Sequence, residues 1–560
     1  MEYIVFFGVF FVFFLFLFIK EAVSEKKRRK VFAKKLYEEY GMFRERDYPP
    51  ERFLRISSYF RKHRKDGQVD DITWNDLDMD SLFKRMNFTQ SATGEEYLYY
   101  MLRDITKSEE ELEHLEEVIC FFAKHPDDRV KYQLSMNKLG YTGKYSLYDY
   151  IDHLDVLGER NNKKEYLVLA FYPISLIIMF FSFPLGLSLF VGVMIYNLLS
   201  YYKTKSDIEP YIISFVYVLR LLGVCDEIIR EKWDVCEEEL STISHGAKVL
   251  APMKKGSYWF LAGNHSTTGS NPLELILDYG KMMFHIDLIQ FNRILEHLRN
   301  HIRELDELIT AVGYLECAVS IGAFRLSLED GYCIPTFGSE NCVQIVNGYH
   351  PMLTGAVKNS ITAGQGVLLT GSNASGKSTF LKMVALNAIL AQTIHTCSCE
   401  SYRAPLYRIF SSMSLRDDLS EGDSYFIVEI KAIKRILDAS QTEGRPVLCF
   451  VDEVLRGTNT IERIAAAAQI LRGLADKGCM VFAATHDMEL AQLLKECMNN
   501  YHFEEDVRDG DVHFFYKLQE GPTKTRNAIK LLEMLGFRED LVSRANESVR
   551  VFEQTGEWSL

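Results

Sequence analysis

The nine residues Gly371-Ser372-Asn373-Ala374-Ser375-Gly376-Lys377-Ser378-Thr379 set glycines, a lysine and two hydroxyls in the order G-x-x-x-x-G-K-S-T. That spacing suits the cradling of a polyphosphate. Glycines let the backbone curl so that its N–H groups face phosphate oxygens, and the N-terminus of a following helix adds positive potential. Lys377 is placed to reach the β- and γ-phosphates and Ser378 to hold Mg²⁺. By chance the pattern is expected roughly 0.02 times in a chain of this length. The reading is a nucleotide site with ATP and Mg²⁺ as its cofactors.

Two further runs supply the groups that hydrolysis needs. Val447-Leu448-Cys449-Phe450-Val451 leads into Asp452-Glu453. Asp452 is placed to hold Mg²⁺ through water, and Glu453 to orient or deprotonate the attacking water. Met480 to Ala484 ends at Thr485-His486-Asp487, where His486 is placed to sense the γ-phosphate. An acidic pair after one apolar run is weak evidence, since acids often cap strands. Three apolar runs in series, each ending in one expected polar group, are much stronger. The elements that must position these groups follow from the pattern. Val367-Leu368-Leu369-Thr370 reads as a buried strand and a helix begins near Phe380. From Gly331 onward apolar strands alternate with helices, as in a parallel α/β domain.

The whole chain has 560 residues and a net charge of −13, so no global basic field advertises nucleic acid. Its eleven cysteines show no paired CxxC spacing, and Cys397-Ser398-Cys399 is the closest approach. That usage suits reduced cytosolic thiols better than disulfides or a zinc site. Two apolar stretches break the soluble pattern. Tyr3 to Ile19 is uncharged and precedes Lys26-Lys27-Arg28-Arg29-Lys30, which predicts a membrane anchor with a cytoplasmic C-terminal side. A cleaved signal peptide is the rival, weakened by Glu2 and by the lack of a small-residue cleavage site. Tyr166 to Tyr202 carries no charge. As one helix it would measure about 55 Å, well beyond a hydrocarbon core of about 30 Å. Pro184 and Gly186 divide it into a hairpin, either spanning twice or re-entrant, with an apolar buried helix pair as the alternative. The expectation is a multi-pass protein of the cytoplasmic (inner) membrane, its ATP site facing the cytosol.

The chain then divides as follows: an anchor over 1–25, a basic juxtamembrane segment over 26–70, a helical core over 71–160, the hairpin over 165–203, a helical lever region over 204–330, the nucleotide-binding domain over 331–520, and a helical tail over 521–560. Phe284 to Ala311 reads as one long amphipathic helix, in which His297 and His301 suit a solvated face better than ligation.

Order and spacing of several segments resemble the ATPase domain of the MutS family of mismatch-repair proteins. They are Gly371 to Thr379, Tyr407 to Phe410, Asp417 to Glu429, Val451-Asp452-Glu453-Val454-Leu455-Arg456-Gly457-Thr458-Asn459-Thr460, and Ala484 to Leu490. Asn87-Phe88-Thr89-Gln90-Ser91-Ala92-Thr93-Gly94 is similar to the start of that family's helical core. The resemblance implies an ABC-like α/β P-loop NTPase domain beside an all-α core and lever region. It also implies a head-to-head homodimer with two composite ATP sites. Each would take Lys377, Ser378, Asp452, Glu453 and His486 from one subunit and Ser424 from the other. Asn373 matches a family asparagine at the phosphate end, with ordinary loop capping as the alternative. Around Ala356 the aromatic that often stacks on adenine is missing; Tyr516 is the substitute, with a core tyrosine as its alternative.

The departures bear on function. The space before residue 70 holds an anchor and a basic stretch in place of a mismatch-reading domain, and no Smr-like nuclease is expected after the ATPase. About 125 residues separate the hairpin from the ATPase, too few for full levers plus a DNA clamp. Lys382-Met383 replace the Arg-Gln of many relatives. The reading is a membrane-anchored ATPase coupled to double-stranded DNA, without specific mismatch reading. The alternative is an ATP-driven switch acting on a membrane or protein partner without DNA. An ABC-type transporter subunit is disfavoured by its missing LSGGQ signature.

Overall fold

The computed structural model describes the chain apart from residues 1–18, 21–22, 44–45, 143–145, 257–278, 281, 372–374, 414–424, 456–457, 509–510, 524–528, 530–531, 534–535, 557 and 559–560. Most of the expected anchor, three P-loop residues (Ser372, Asn373 and Ala374) and Ser424 therefore lie outside the described residues. Two compact units emerge: residues 1–64, 86–100 and 117–324, and residues 65–85, 101–116 and 325–560.

The first unit is helical among its described residues. Lys163–Phe181 and Phe183–Ile228 form the hairpin, and the break falls at the extended Ser182. Pro184 sits in the first turn of the second helix, where a missing N–H has no helical partner to lose. At Gly186 a Cβ would fall 2.3 Å from the Met179 Cα, so the two helices touch backbone to backbone there. The second helix continues past residue 203 without a break. Among the described residues, three helices are long and apolar enough to cross a membrane. Of their most apolar stretches, 11% is buried in Lys163–Phe181, 17% in Phe183–Ser206 and 83% in Ile302–Leu326. The third is a core helix. Its Glu316 is fully buried, accepts from the N–H groups of Gln90 and Ser91 just before helix Ala92–Arg103, and is pushed by burial up to about 7.

The single helix expected over Phe284 to Ala311 is instead two, Ile286–Arg299 and Ile302–Leu326. Asn300 ends the first by turning its side chain back to the Glu296 carbonyl at 3.1 Å. The N–H groups of Asn300 and His301 bond only three residues back, to His297 and Leu298, which tightens and terminates the turn. His297 and His301 are not a solvated face: their rings stack 4.4 Å apart and bond to the carbonyls of Val249 and His297.

Among its described residues the second unit holds ten strands: β1 (Thr336–Phe337), β2 (Val343–Gly348), β3 (Asn359–Ala363), β4 (Gly366–Thr370), β5 (Ser401–Ala404), β6 (Arg408–Ser412), β7 (Val447–Asp452), β8 (Met480–Thr485), β9 (Met498–Arg508) and β10 (Asp511–Glu520). One sheet runs β10-β9-β4-β8-β7-β6, parallel except for β10, and a smaller one runs β1-β5-β2-β3. Strands β4, β7 and β8 are buried at every position, the mark of a parallel sheet covered on both faces. Ile433, Ile436, Leu471 and Leu474, from helices Tyr425–Ser440 and Thr460–Asp476, pack against one face. The register aligns Thr370 with Thr485 and Asp452 with Ala484. The P-loop and both acid-bearing turns thus leave the sheet at the same edge, the carboxyl ends of its strands.

Part of the segment read as helical core packs in this second unit. Asp76 accepts from Ser411 Oγ at 2.6 Å and Met413 N at 2.9 Å, and Asp70 accepts from Arg435 at 2.7 Å. Arg445 donates to the carbonyls of Ile105, Thr106 and Lys107. These long-range hydrogen bonds hold residues 65–85 and 101–116 on the sheet, which helical periodicity cannot reveal.

Candidate nucleotide site

The P-loop joins the end of β4 to helix Lys377–Ile394. Gly371 and Gly376 have φ of 138° and 109°, a region that L side chains rarely enter, so both positions require glycine. Lys377 is buried, and its Nζ donates to the Gly371 carbonyl at 2.6 Å. Ser378 Oγ donates to Asp452 Oδ2 at 2.5 Å, joining the helix start to the end of β7. Ser375 Oγ is buried without a hydrogen-bond partner among the described residues.

Glu453 follows Asp452 with a left-handed φ of 55°, and Leu455 repeats it at 59°. Non-glycine residues there cost roughly 1–3 kcal/mol, and such strain concentrates where a side chain must be aimed. Two bonds hold the turn: Glu453 N–H donates to the Ala484 carbonyl at 2.9 Å, and the buried Glu429 carboxylate accepts from Leu455 N–H. Glu453 Oε1 meets His486 Nε2. Sequence reading aimed His486 at the γ-phosphate; here it contacts the neighbouring acid. Arg463 clamps Asp487 with two bonds of 3.0 and 2.7 Å, which fixes the turn after β8.

A cavity of about 510 Å³ opens over this loop, a size that suits a nucleotide-sized ligand. Lys377, Ser378, Thr379 and Glu453 line it. His350, Leu353, Ala356, Val357, Phe503 and Tyr516 stand in the lining as well. Tyr516 is 43% exposed, so it is not a core residue, and it stacks on Phe514 with centroids 5.8 Å apart. Its aim has a cause. The β9–β10 register shifts between Phe514 and Leu518, and Tyr516 takes a φ of 54°. The buried Asn359 pins that irregularity: its Nδ2 donates to Tyr516 O at 3.0 Å, and its Oδ1 accepts from Leu518 N–H at 2.9 Å.

His350 is held well below its ordinary range, at about 4. Burial is the main cause, with Lys382 and Arg85 adding repulsion that Asp78 partly offsets. The neutral ring accepts from Met352 N–H at 3.3 Å on Nδ1. Sequence reading gave no role to His350, Asn359, Glu429 or Phe503. The Gly348-Tyr349-His350-Pro351 turn just upstream of β3 was a visible signal for the first; for the others only the folded neighbours matter.

The residues present fit ATP and a divalent cation. Ser378 and Asp452 offer paired oxygens for the cation, and the buried Lys377 lines the cavity beside Ser378 and Thr379. Ser372, Asn373, Ala374 and Ser424 lie outside the described residues, as do Arg456 and Gly457.

Comparison with known proteins agrees with this geometry. Residues 367–553 match the family model described as MutS domain V. The chain is 29% identical over 296 residues to a DNA mismatch repair protein MutS of Lactobacillus delbrueckii subsp. bulgaricus, covering 50% of this chain and 34% of that protein. The same-named protein of Lactobacillus acidophilus is 30% identical over 300 residues, covering 50% and 34%. That of Thermus thermophilus is 33% identical over 255 residues, covering 45% and 30%. The chain thus spans about a third of the length of the curated relatives it matches. The likeness supports the MutS family and its α/β P-loop ATPase domain.

Proposed function

We propose that this chain is a membrane-anchored, dimeric MutS-type ATPase that couples ATP binding and hydrolysis to double-stranded DNA, without specific mismatch reading. The observation that carries the ATPase reading is the Ser378–Asp452 hydrogen bond of 2.5 Å, made by a serine that lines the cavity together with Lys377 and Glu453. Ser378 and Asp452 would hold Mg²⁺, which when bound would neutralise charge on the phosphates and stabilise the transferring group. Lys377 binds the terminal phosphates. Glu453 takes a proton from the attacking water, and His486 keeps that carboxylate aimed. Tyr516 and the 350–357 wall receive the base. Dimerisation through the heads is carried over from the resemblance to the MutS family, and DNA contact from that resemblance and from the mismatch-repair relatives.

Membrane attachment is supported by two adjoining helices whose apolar stretches are mostly exposed. Leaving such surface in water would cost about 25 cal/mol per Å². The absence of mismatch selectivity is inferred because a wedge that exploits weakened stacking needs a domain to deliver it, and neither the segment before residue 70, read as an anchor and a basic stretch, nor the short 204–330 segment offers one.

The test uses full-length protein in detergent. Mg²⁺-dependent ATP hydrolysis that Lys377→Ala abolishes is the expected result; no hydrolysis and no ATP binding would overturn the ATPase reading. Duplex DNA should bind with affinity falling steeply as salt rises. Homoduplex and G·T-mismatched affinities should agree within about threefold, roughly 0.65 kcal/mol. Binding of neither would transfer the reading to a switch acting on a protein or membrane partner.

A further inference from the structure

Two cysteines of one C-x-C segment and a third far from them in sequence converge at the other end of the P-loop helix. Helix Lys377–Ile394 ends at His395, and the chain turns through Thr396 into Cys397-Ser398-Cys399 just before β5. In extended backbone, residues two apart share a face, so C-x-C places two thiols side by side. Cys333 pairs with Cys397 across an isolated antiparallel bridge, with N–H···O distances of 3.0 and 2.9 Å in the two directions. Directly paired residues of antiparallel chains project their side chains to one face. The third sulfur is thereby brought to the first two. All three Sγ atoms lie within 4.8 Å of one another, with Cys333 Sγ and Cys399 Sγ 3.4 Å apart.

We infer that Cys333, Cys397 and Cys399 form a binding site for a thiophilic cation, Zn²⁺ in the first place. With S–Zn bonds of about 2.3 Å, thiolates around one ion stand about 3.8 Å apart, so loading opens the Cys333–Cys399 pair by about 0.4 Å and closes the other separations by no more than about 1 Å. The intervening residue is turned away and fixed: Ser398 Oγ donates to the Tyr349 carbonyl at 2.8 Å and Ser398 N–H to Asn387 Oδ1 at 2.6 Å. Cys397 Sγ touches the Asn387 carbonyl at 3.5 Å, a bond its proton leaves on loading. Three thiols release their protons to solvent as three S–Zn bonds form. Cys397 and Cys399 are buried while Cys333 is half-buried, so the fourth position faces solvent and takes water or a small thiol. The ion would tie the segment before β1 to the segment before β5, on the far side of the domain from the phosphates.

The test uses full-length, reduced protein in detergent, titrated with Zn²⁺ against a chromophoric chelator and separately with Co²⁺. One equivalent of Zn²⁺ should bind, and Co²⁺ should give a thiolate charge-transfer band. Cys333→Ser, Cys397→Ser and Cys399→Ser should each weaken Zn²⁺ binding at least about tenfold, and the triple variant should abolish it. Cys342→Ser, which lies outside the cluster, should change neither readout. ATP binding, measured on every variant, separates lost ligation from lost folding, and the Co²⁺ band of the unmutated protein stands independently of any variant. No Zn²⁺ binding and no Co²⁺ band, or binding that survives in the triple variant, would overturn the site. So would mass-spectrometric recovery of a Cys333–Cys399 disulfide as the resting state in protein alkylated at lysis.

Discussion

Glu453 and His486 are each the first residue after a strand, Glu453 after β7 and His486 after the neighbouring parallel β8, and His486 Nε2 meets Glu453 Oε1 at the edge of the nucleotide cavity. The pairing is held from both sides. Glu453 N–H is tied to Ala484 O, and the turn after β8 is fixed by the Arg463–Asp487 clamp. A carboxylate held by a neighbouring imidazole at the mouth of a P-loop is suited to accept a proton from water.

Glu453→Gln should therefore leave ATP binding intact, since Lys377, Ser378 and Asp452 remain. Hydrolysis should fall at least about a hundredfold, the lower end of what a positioned base contributes. Single-turnover kinetics beside equilibrium ATP binding checks this. A variant that hydrolyses ATP at near the parent rate would exclude Glu453 as the base. His486→Ala should lower the rate less than Glu453→Gln does.

Asn359 lines the cavity and also sets the position of Tyr516. Asn359→Ala removes the partners of the Tyr516 carbonyl and the Leu518 N–H, and an unmet buried polar group costs about 1–3 kcal/mol. The ring should lose its fixed aim, and ATP should bind at least about fivefold more weakly, about 1 kcal/mol. The catalytic rate at saturation should hold. Calorimetric titration of ATP, set beside saturating kinetics, distinguishes this from a general loss of activity.

His350 should make stability depend on pH. Its folded value of about 4 lies below the ordinary histidine value of about 6.5. Between the two, the unfolded chain binds more protons, so stability rises with pH across that window and is lost as pH falls through it. From pH 7 to pH 5 this group alone should withdraw about 2 kcal/mol. Denaturant unfolding of the parent and of His350→Gln at both pH values should differ by that amount. Equal pH dependence in the two would refute the assignment.

The hairpin should fail at Gly186. A valine there drives its Cβ into the Met179 backbone, and relief requires the helices to separate. Tyr172 and Phe190, whose rings meet with centroids 5.4 Å apart, supply the reporter. Cysteines at both positions should crosslink readily in membranes, and Gly186→Val should cut the yield severalfold. Undiminished crosslinking would mean that the helices do not meet at this glycine.

Much of the phosphate site was legible in the chain because its chemistry is local. The P-loop glycines, Lys377 and Ser378 are consecutive, and Asp452, Glu453 and His486 each follow an apolar run that can only be a covered strand. The hairpin was legible for the same reason, since an uncharged stretch broken near Pro184 and Gly186 carries its own length and its own turn. What tertiary structure alone decided depends on pairing across distance. It brought Glu453 to His486 through strand register, set Tyr516 beside the P-loop by an irregularity pinned from Asn359, and ended the helix at Asn300 where periodicity ran on. It also carried Cys333 to Cys397 and Cys399, and placed residues 65–85 with the sheet through Asp70 and Asp76. Residue type and spacing specify what a segment can form by itself. Which distant segment meets it is set by register and packing, and these exist only once the chain has folded.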